Sequence, residues 1–318
     1  MKKLSFISTL VIVLISLILT AGVTGGKADD NRKEWDKILE EMREEIKKNG
    51  YSFTVGYTPI CQYRLEDLCG FKPELAFGDT KVETTAPRVK LEANRKLPSR
   101  YIGYYTSAKY QGGCGSCWAF GMTSAVEGLF VKTMGTEENL SEQWLLDCNP
   151  WGWDCGGGFI NFNMFISEGS PTETCYPYVA YQHSCWTTCP HLYFIYDWDW
   201  VLNPYVIPPI EDIKQAIMDY GSVAVGVRAT AYMQAYTGGI FDRCESGQTN
   251  HCVALCGWDD ELGGGVWLLK NSWGDWWGGV DIDQNGTVDP DEGGFMWIIY
   301  GCNRVGEAAA YPIPYYGG

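Results

Sequence analysis

The chain has 318 residues, 46% of them apolar and 14% aromatic, enough to bury a core in one or two domains and too rich in Trp and Tyr for a disordered chain. Its formal net charge is −15, with no Lys/Arg-rich run beyond the first helix, which argues against nucleic acid as a partner. The acidic balance by itself selects no substrate.

Met1-Lys2-Lys3 precedes an apolar stretch from Leu4 to about Ala21, followed by the small residues Ala21, Gly22, Gly25 and Gly26. This is the order of a secretory signal, assigned to residues 1–24. The run is long enough that an uncleaved membrane anchor is the alternative. Secretion makes the 13 cysteines legible, because an oxidising compartment pairs them and an odd total leaves one over.

From Asn31, Trp35, Ile38, Leu39, Met42 and Ile46 recur on one helical face until Asn49-Gly50. A second short helix is expected from Gln62 to Leu68, closed by Gly70. Lys72 to Lys96, rich in Pro, Glu, Thr and Lys, reads as an extended connector to a larger globular part. There, helices are expected over Cys117–Lys132, Leu140–Leu146 and Glu211–Tyr220. Strands follow at Val223–Val227, Cys252–Cys256, Val266–Leu269 and Phe295–Tyr300, separated by Gly-rich turns. Helices first and strands after is the α+β order.

Residues 111–120, "QGGCGSCWAF", set two cysteines three apart. They could be a metal clip, halves of two disulfides, or a reactive thiol beside a structural one. A zinc site wants a second pair at matching spacing, and none is present. A thiol attacks a carbonyl as thiolate. Cys117 opens a helix, whose dipole favours that charge, and an imidazole can take the proton. Of the three histidines, His183 and His191 lie in a Cys- and Tyr-rich loop, whereas His251 begins an apolar strand after Asn250. Asn271 is the candidate to orient His251, and Trp273 of the same "NSWG" turn could shield their hydrogen bond. Plainer readings are two turn residues and a satisfied core histidine.

"QGGCGSCWAF", "LSEQWLLDC", "CGGG", "NHCVALCGW" and "KNSWGDWWG" stand in the order found in papain-like cysteine proteases, and the chain resembles that family from about Leu97 to Pro312. The resemblance implies a two-lobed α+β fold over residues 96–318, with a helical N-terminal lobe, a β-rich C-terminal lobe and the active site between them. It implies that Cys117, His251 and Asn271 are catalytic. Gln111 would donate to the oxyanion with the Cys117 N–H. It also implies the disulfides Cys114–Cys155, Cys148–Cys185 and Cys244–Cys302, which leaves Cys175 with Cys189, and Cys61 with Cys69, as convenient partners. Cys252 and Cys256, about 13 Å apart on one strand, cannot pair. The family usually has Ala or Gly after its catalytic His, so Cys252 is a departure.

Residues 25–95 fit a prosegment, loosely similar in texture to the cathepsin B type, acting as an intramolecular inhibitor of a zymogen. No counterpart of the cathepsin B double-histidine loop is visible, which favours an endopeptidase. The family's pocket for the side chain two residues before the cleaved bond maps to Gly157, Gly158 and Asn250, with Trp273 nearby. Counting forward from Cys302 puts Glu307 on its floor, and counting back from Tyr311-Pro312 puts Ala308 there. Easier packing of the "AAAYP" end favours Ala308 and an apolar preference.

Where the family has a tight turn, this chain has "DIDQNGTVDPDE". Asp281, Asp283, Asn285, Thr287, Asp289 and Glu292 occupy positions 1, 3, 5, 7, 9 and 12 of an EF-hand-type loop, with Gly286 at the sharp turn. The expectation is a structural calcium clamp; the plainer reading is an acidic hairpin tip. The resulting assignment is a secreted, monomeric cysteine endopeptidase without a catalytic cofactor, acting on proteins or peptides. Its rival is a catalytically silent, calcium-stabilised binding protein on the same fold, which retention of Cys117, His251, Asn271 and Gln111 weighs against.

Overall fold

The computed structural model describes residues 28–76, 95–186 and 188–315. The expected signal and most of the connector lie outside them. Among the described residues no helix is long and apolar enough to cross a membrane.

Helix α1 (Ala28–Asn49) buries Trp35, Ile38, Leu39 and Met42, the face its periodicity marks. Strand β1 (Phe53–Val55) follows. The helix expected over 62–68 is divided: a 3-10 turn spans Pro59–Gln62, Tyr63 and Arg64 are extended, and α2 is Leu65–Leu68. The expected extended connector also begins as a 3-10 turn, Pro73–Ala76.

Strand β2 (Arg100–Ile102) leads to α3 (Cys117–Met134), an almost wholly buried helix stopped by Gly135 in the left-handed region. In α4 (Glu142–Cys148) the Ser141 hydroxyl caps the first turn by accepting from Trp144 N at 3.0 Å. Next come α5 (Asn163–Ser167), β3 (Asp197–Trp200), α6 (Ile210–Tyr220), β4 (Val223–Val227) and α7 (Ala231–Gln234). The chain closes with β5 (Tyr236–Phe241), β6 (His251–Asp259), β7 (Val266–Lys270), β8 (Phe295–Ile299) and β9 (Glu307–Ile313).

The strands form one sheet in the order β1-β5-β8-β7-β6-β4-β9-β3, with β2 paired to β6. All nine residues of β6 are buried, because α3 packs against it and β4, β7 and β2 flank it. That burial matches its unbroken apolar run. The N-terminal segment belongs to the same body. β1 adds an antiparallel edge strand to β5. Glu45 accepts from Arg243 and from the Tyr232 hydroxyl, the latter at 2.7 Å, and Gln234 Nε2 donates to the carbonyls of Ile60 and Tyr63.

Disulfides join Cys114–Cys155, Cys148–Cys185, Cys175–Cys189 and Cys244–Cys302. The convenient pair Cys61–Cys69 does not form: both thiols are free, with those of Cys117, Cys252 and Cys256. Cys61 is buried beside the Thr58 hydroxyl, whereas Cys69 follows α2 toward the cleft, within electrostatic reach of Cys117. Cys252, the departure from the family pattern, is accommodated by Gly121 on α3: a Cβ there would lie 2.5 Å from the Cys252 sulfur.

Candidate active site

Cys117 is fully buried as the first residue of α3. The turn before it is held on both sides. Cys114 is bonded to Cys155, and Gly115 N donates to Cys155 O at 3.0 Å. Gly115 has no room for a side chain, since a Cβ would sit 2.5 Å from that carbonyl. The backbone N–H groups of Cys252, Gly70 and Trp118 surround the Cys117 sulfur closely enough to favour its charged form. The Cys252 N–H belongs to the residue after His251, so the start of β6 lies against the thiol.

His251 is also fully buried, and its Nε2 lies 2.8 Å from Asn271 Oδ1. Nδ1 is buried without a hydrogen-bond partner, with the Leu68 carbonyl near the ring. Trp273 covers the imidazole, their ring centroids 4.7 Å apart, and keeps water from the His251–Asn271 bond. Asn271 is anchored through its own N–H, which donates to Gly294 O at 2.9 Å. Gln111 Nε2 donates to Leu68 O at 2.9 Å and to Cys114 O at 2.7 Å, while Ser272 Oγ donates to Gln111 Oε1 at 2.7 Å. The structure thus brings Gln111, Cys117, His251, Asn271 and Trp273 together. His183 and His191 lie elsewhere, paired with Asp147 and with the carbonyls of Glu168 and Gly169.

The N-terminal segment runs through this cleft. Gly158 N donates to Gly70 O at 2.8 Å, Lys72 N to Gly158 O at 3.0 Å and Phe71 N to Asn250 O at 3.0 Å. Phe71 pairs in parallel with Gly158, stacks on Phe159 at 5.1 Å and faces Gly226, where a Cβ would come within 2.7 Å of its ring. Of the two floor candidates, Ala308 is fully buried, and the Glu307 carboxylate is engaged by the Arg304 guanidinium.

Coverage sets the electrostatics. Burial pushes the Cys117 thiol up to about 11 against the N–H groups around it. Burial also pushes His251 down to about 4, against the hydrogen bond that its Nε2 donates to Asn271 Oδ1. The covered cleft therefore favours the neutral thiol and neutral imidazole rather than the ion pair expected of an open site.

Sequence reasoning missed Phe71, Gly226 and Ser272, and also a buried ion cluster beneath the site. In that cluster Lys109 pairs with Glu127 at 2.6 Å and Glu142 at 2.8 Å, and Lys270 Nζ donates to Thr106 Oγ1 at 2.8 Å beside Glu127. Lys270 directly precedes Asn271, and isolated charges in apolar runs were the only sequence signal. In the inserted loop, carboxylate oxygens of Asp281, Asp283 and Glu292 lie within 4.8 Å of one another. Asn285 Nδ2 donates to Asp283 and Asp289 at 3.0 and 2.9 Å, Gly286 has φ +92°, and Thr287 donates to Asn285 Oδ1.

A helix-opening thiol facing an imidazole-bearing strand across a two-lobed α+β cleft defines a cysteine protease, a hydrolase. Residues 95–282, more than half of the chain, match the papain family of cysteine proteases, and the chain belongs to that family. It is similar to the cathepsin L-like proteinase of Fasciola hepatica, 28% identical over 307 residues covering 84% of this chain and 90% of that protein. It is 30% identical to cathepsin S of Rattus norvegicus over 77% of this chain and 78% of that one. Among solved structures, digestive procathepsin L2 proteinase of the Tenebrio molitor larval midgut matches its fold with a TM-score of 0.74 at 24% identity, covering 94% of this chain and 97% of that one. Bromelain of Ananas comosus, solved with the E64 inhibitor, matches with a TM-score of 0.58 at 29% identity over 69% of this chain and all of that one.

Proposed function

We propose that the chain is a secreted cysteine endopeptidase made as a zymogen, with Cys117 as nucleophile, His251 as base, Asn271 as its orienting partner and Gln111 as oxyanion donor. The observation that carries this reading is the His251–Asn271 bond at 2.8 Å beneath Trp273, beside a helix-opening Cys117. In the open cleft His251 takes the thiol proton, and the thiolate attacks the peptide carbonyl. Gln111 Nε2 and the Cys117 N–H then receive the oxyanion. His251 returns the proton to the leaving amine, giving a thioester that water hydrolyses with His251 again as base. Papain-family proteases need no catalytic cofactor for this.

Residues 25–95 act as the inhibitor and 96–318 as the peptidase domain, after loss of a signal at 1–24. The Leu68 carbonyl already uses the Gln111 donor, and the sulfur meets the Gly70 N–H, which is not an electrophile. The segment therefore fills the site without being attacked. Four disulfides fit an oxidising destination. Phe71 beside Gly158, Phe159 and Gly226, together with the engaged Glu307, supports an apolar pocket bounded by Gly157, Gly158, Asn250 and Ala308.

The 281–292 loop holds calcium through Asp281, Asp283, Asn285, Asp289, Glu292 and the Thr287 carbonyl. The clustering of three carboxylates supports this. The ion would replace backbone partners, since Glu292 now accepts from the N–H groups of Ile282, Asp283 and Asp289.

The test is to trim the chain, label it with the epoxide inhibitor E64, which bromelain binds, and map the modified residue. Modification of Cys117 with loss of peptidase activity is expected. Full activity in Cys117→Ala would sink the assignment.

A further inference from the structure

Cys69 is a free, half-buried thiol in the segment that covers the cleft, and no step of hydrolysis uses it. Both of its neighbours touch the catalytic turn. The Leu68 carbonyl accepts from Gln111 Nε2 at 2.9 Å, and Gly70 is pressed against Gly115 so closely that a Cβ would lie 1.7 Å from the Gly115 carbonyl oxygen. The Gly70 N–H meets the Cys117 sulfur. Cys69 thus sits between two residues fixed on the turn that carries Cys117, and the two thiols are within electrostatic reach of each other. A disulfide spans a Cα–Cα distance of about 5.5–6 Å. Rotation of the two side chains with a local backbone adjustment between Leu68 and Gly70 would close that span. Cys252, also within electrostatic reach of Cys117, is the competitor the experiment has to exclude. Cys61 lies beside Thr58, Cys252 is packed on Gly121, and Cys256 donates to Leu268 O at 3.5 Å inside the sheet.

We propose that Cys69 and Cys117 form a disulfide in the uncleaved chain, so that the N-terminal segment holds the nucleophile covalently as well as by filling the cleft. This rests on the reading of Cys117 as nucleophile and of the segment as its inhibitor.

The oxidant is a small-molecule disulfide, RSSR. Cys69, the more exposed thiol, attacks first: its S–S bond to one half of the oxidant forms, the RS–SR bond breaks, and the proton of Cys69 leaves with the first RSH. The Cys117 sulfur then attacks the Cys69 sulfur, expels the second RS group, and its proton completes the second RSH. The protein loses two electrons and RSSR gains them. Burial raises both thiols, so each step needs a base, and His251 stands beside the second. A thiol reductant reverses the reaction. Release of activity then requires reducing conditions in addition to removal of the segment, and the nucleophile is protected from irreversible oxidation meanwhile.

The experiment uses the full-length chain incubated with oxidised glutathione, alkylated, and mapped by mass spectrometry without reduction. The expected product is a Cys69–Cys117 peptide pair lighter by two hydrogens than its reduced halves. Iodoacetamide labelling of Cys117 should fall about tenfold or more and return with reductant. After an added protease cuts the connector without reductant, the segment should stay attached to the domain in the wild type and separate in Cys69→Ser and Cys69→Ala, while the reduced, trimmed enzymes are equally active. A Cys61–Cys69 or Cys117–Cys252 pair overturns the proposal, as does glutathione held on Cys69 while Cys117 stays open to alkylation. A full-length Cys69→Ser chain as active as the trimmed enzyme would instead overturn the inhibitory reading, and the peptide map reports on the disulfide independently of it.

Discussion

The Ser272 hydroxyl donates to Gln111 Oε1 at 2.7 Å, and this bond decides which end of the Gln111 amide faces the cleft. With Oε1 committed to Ser272, Nε2 is the end left to donate toward the Leu68 carbonyl, the place where an oxyanion would develop. Ser272→Ala frees the amide to rotate. We expect kcat to fall about tenfold with KM little changed, against about a hundredfold or more for Gln111→Ala. Steady-state kinetics on one peptide decide it, and an unchanged kcat in Ser272→Ala would refute the role.

Asn271→Ala should lower kcat/KM about tenfold to a hundredfold and narrow the pH range of activity, since His251 loses its acceptor while Trp273 still covers it. A pH–rate profile of trimmed wild type and variant is the measurement. An identical profile in the two would show that Asn271 does not orient the base.

Acid should open the cleft. Burial holds His251 near pKa about 4 while the segment covers it, against the usual 6.5. The covered form binds fewer protons than an opened form with ordinary imidazole. Its stabilising contribution is therefore present above 6.5 and lost as pH falls through about 4. The whole span is worth about 3 kcal/mol. In Cys117→Ala, which cannot trim itself, hydrogen-exchange protection of residues 65–72 should decline between these limits after correction for intrinsic rates. A flat profile would count against the linkage.

Calcium at a hundredfold excess over its dissociation constant should stabilise the trimmed enzyme by about 2.7 kcal/mol, a melting shift of about 5–10 °C. Asp281→Ala should abolish the response. Because Gly294 O holds the Asn271 N–H, a smaller effect on kcat is also expected. Metal-stripped wild type that melts at the same temperature with and without calcium would exclude the site.

Peptides differing only two residues before the cleaved bond should be hydrolysed at least about tenfold better with Leu or Phe than with Arg. The Glu307 carboxylate is held by Arg304, and Phe71 already seats an aromatic ring beside Gly226. An arginine preference that disappears in Glu307→Ala would reverse the pocket assignment.

The sequence alone determined what local chemistry controls. The face of α1 followed from its 3.6-residue period, α3 from its apolar residues, α6 from the glycine after its last turn, and β6 from its apolar run. The residues that meet at the cleft were legible because a thiol, an imidazole and an amide lie inside unusual short motifs. What the tertiary structure decided depends on meetings between distant segments. Cys61 and Cys69 looked like partners because they are near in sequence, yet extended backbone at Tyr63 and Arg64 sends one thiol to Thr58 and the other to Cys117. The orientation of the Gln111 amide, the seat of Phe71 and the suppression of the ion pair follow from which groups exclude water from one another. No spacing along the chain encodes that exclusion, because it arises only when residues 68–72 are laid between α3 and β6.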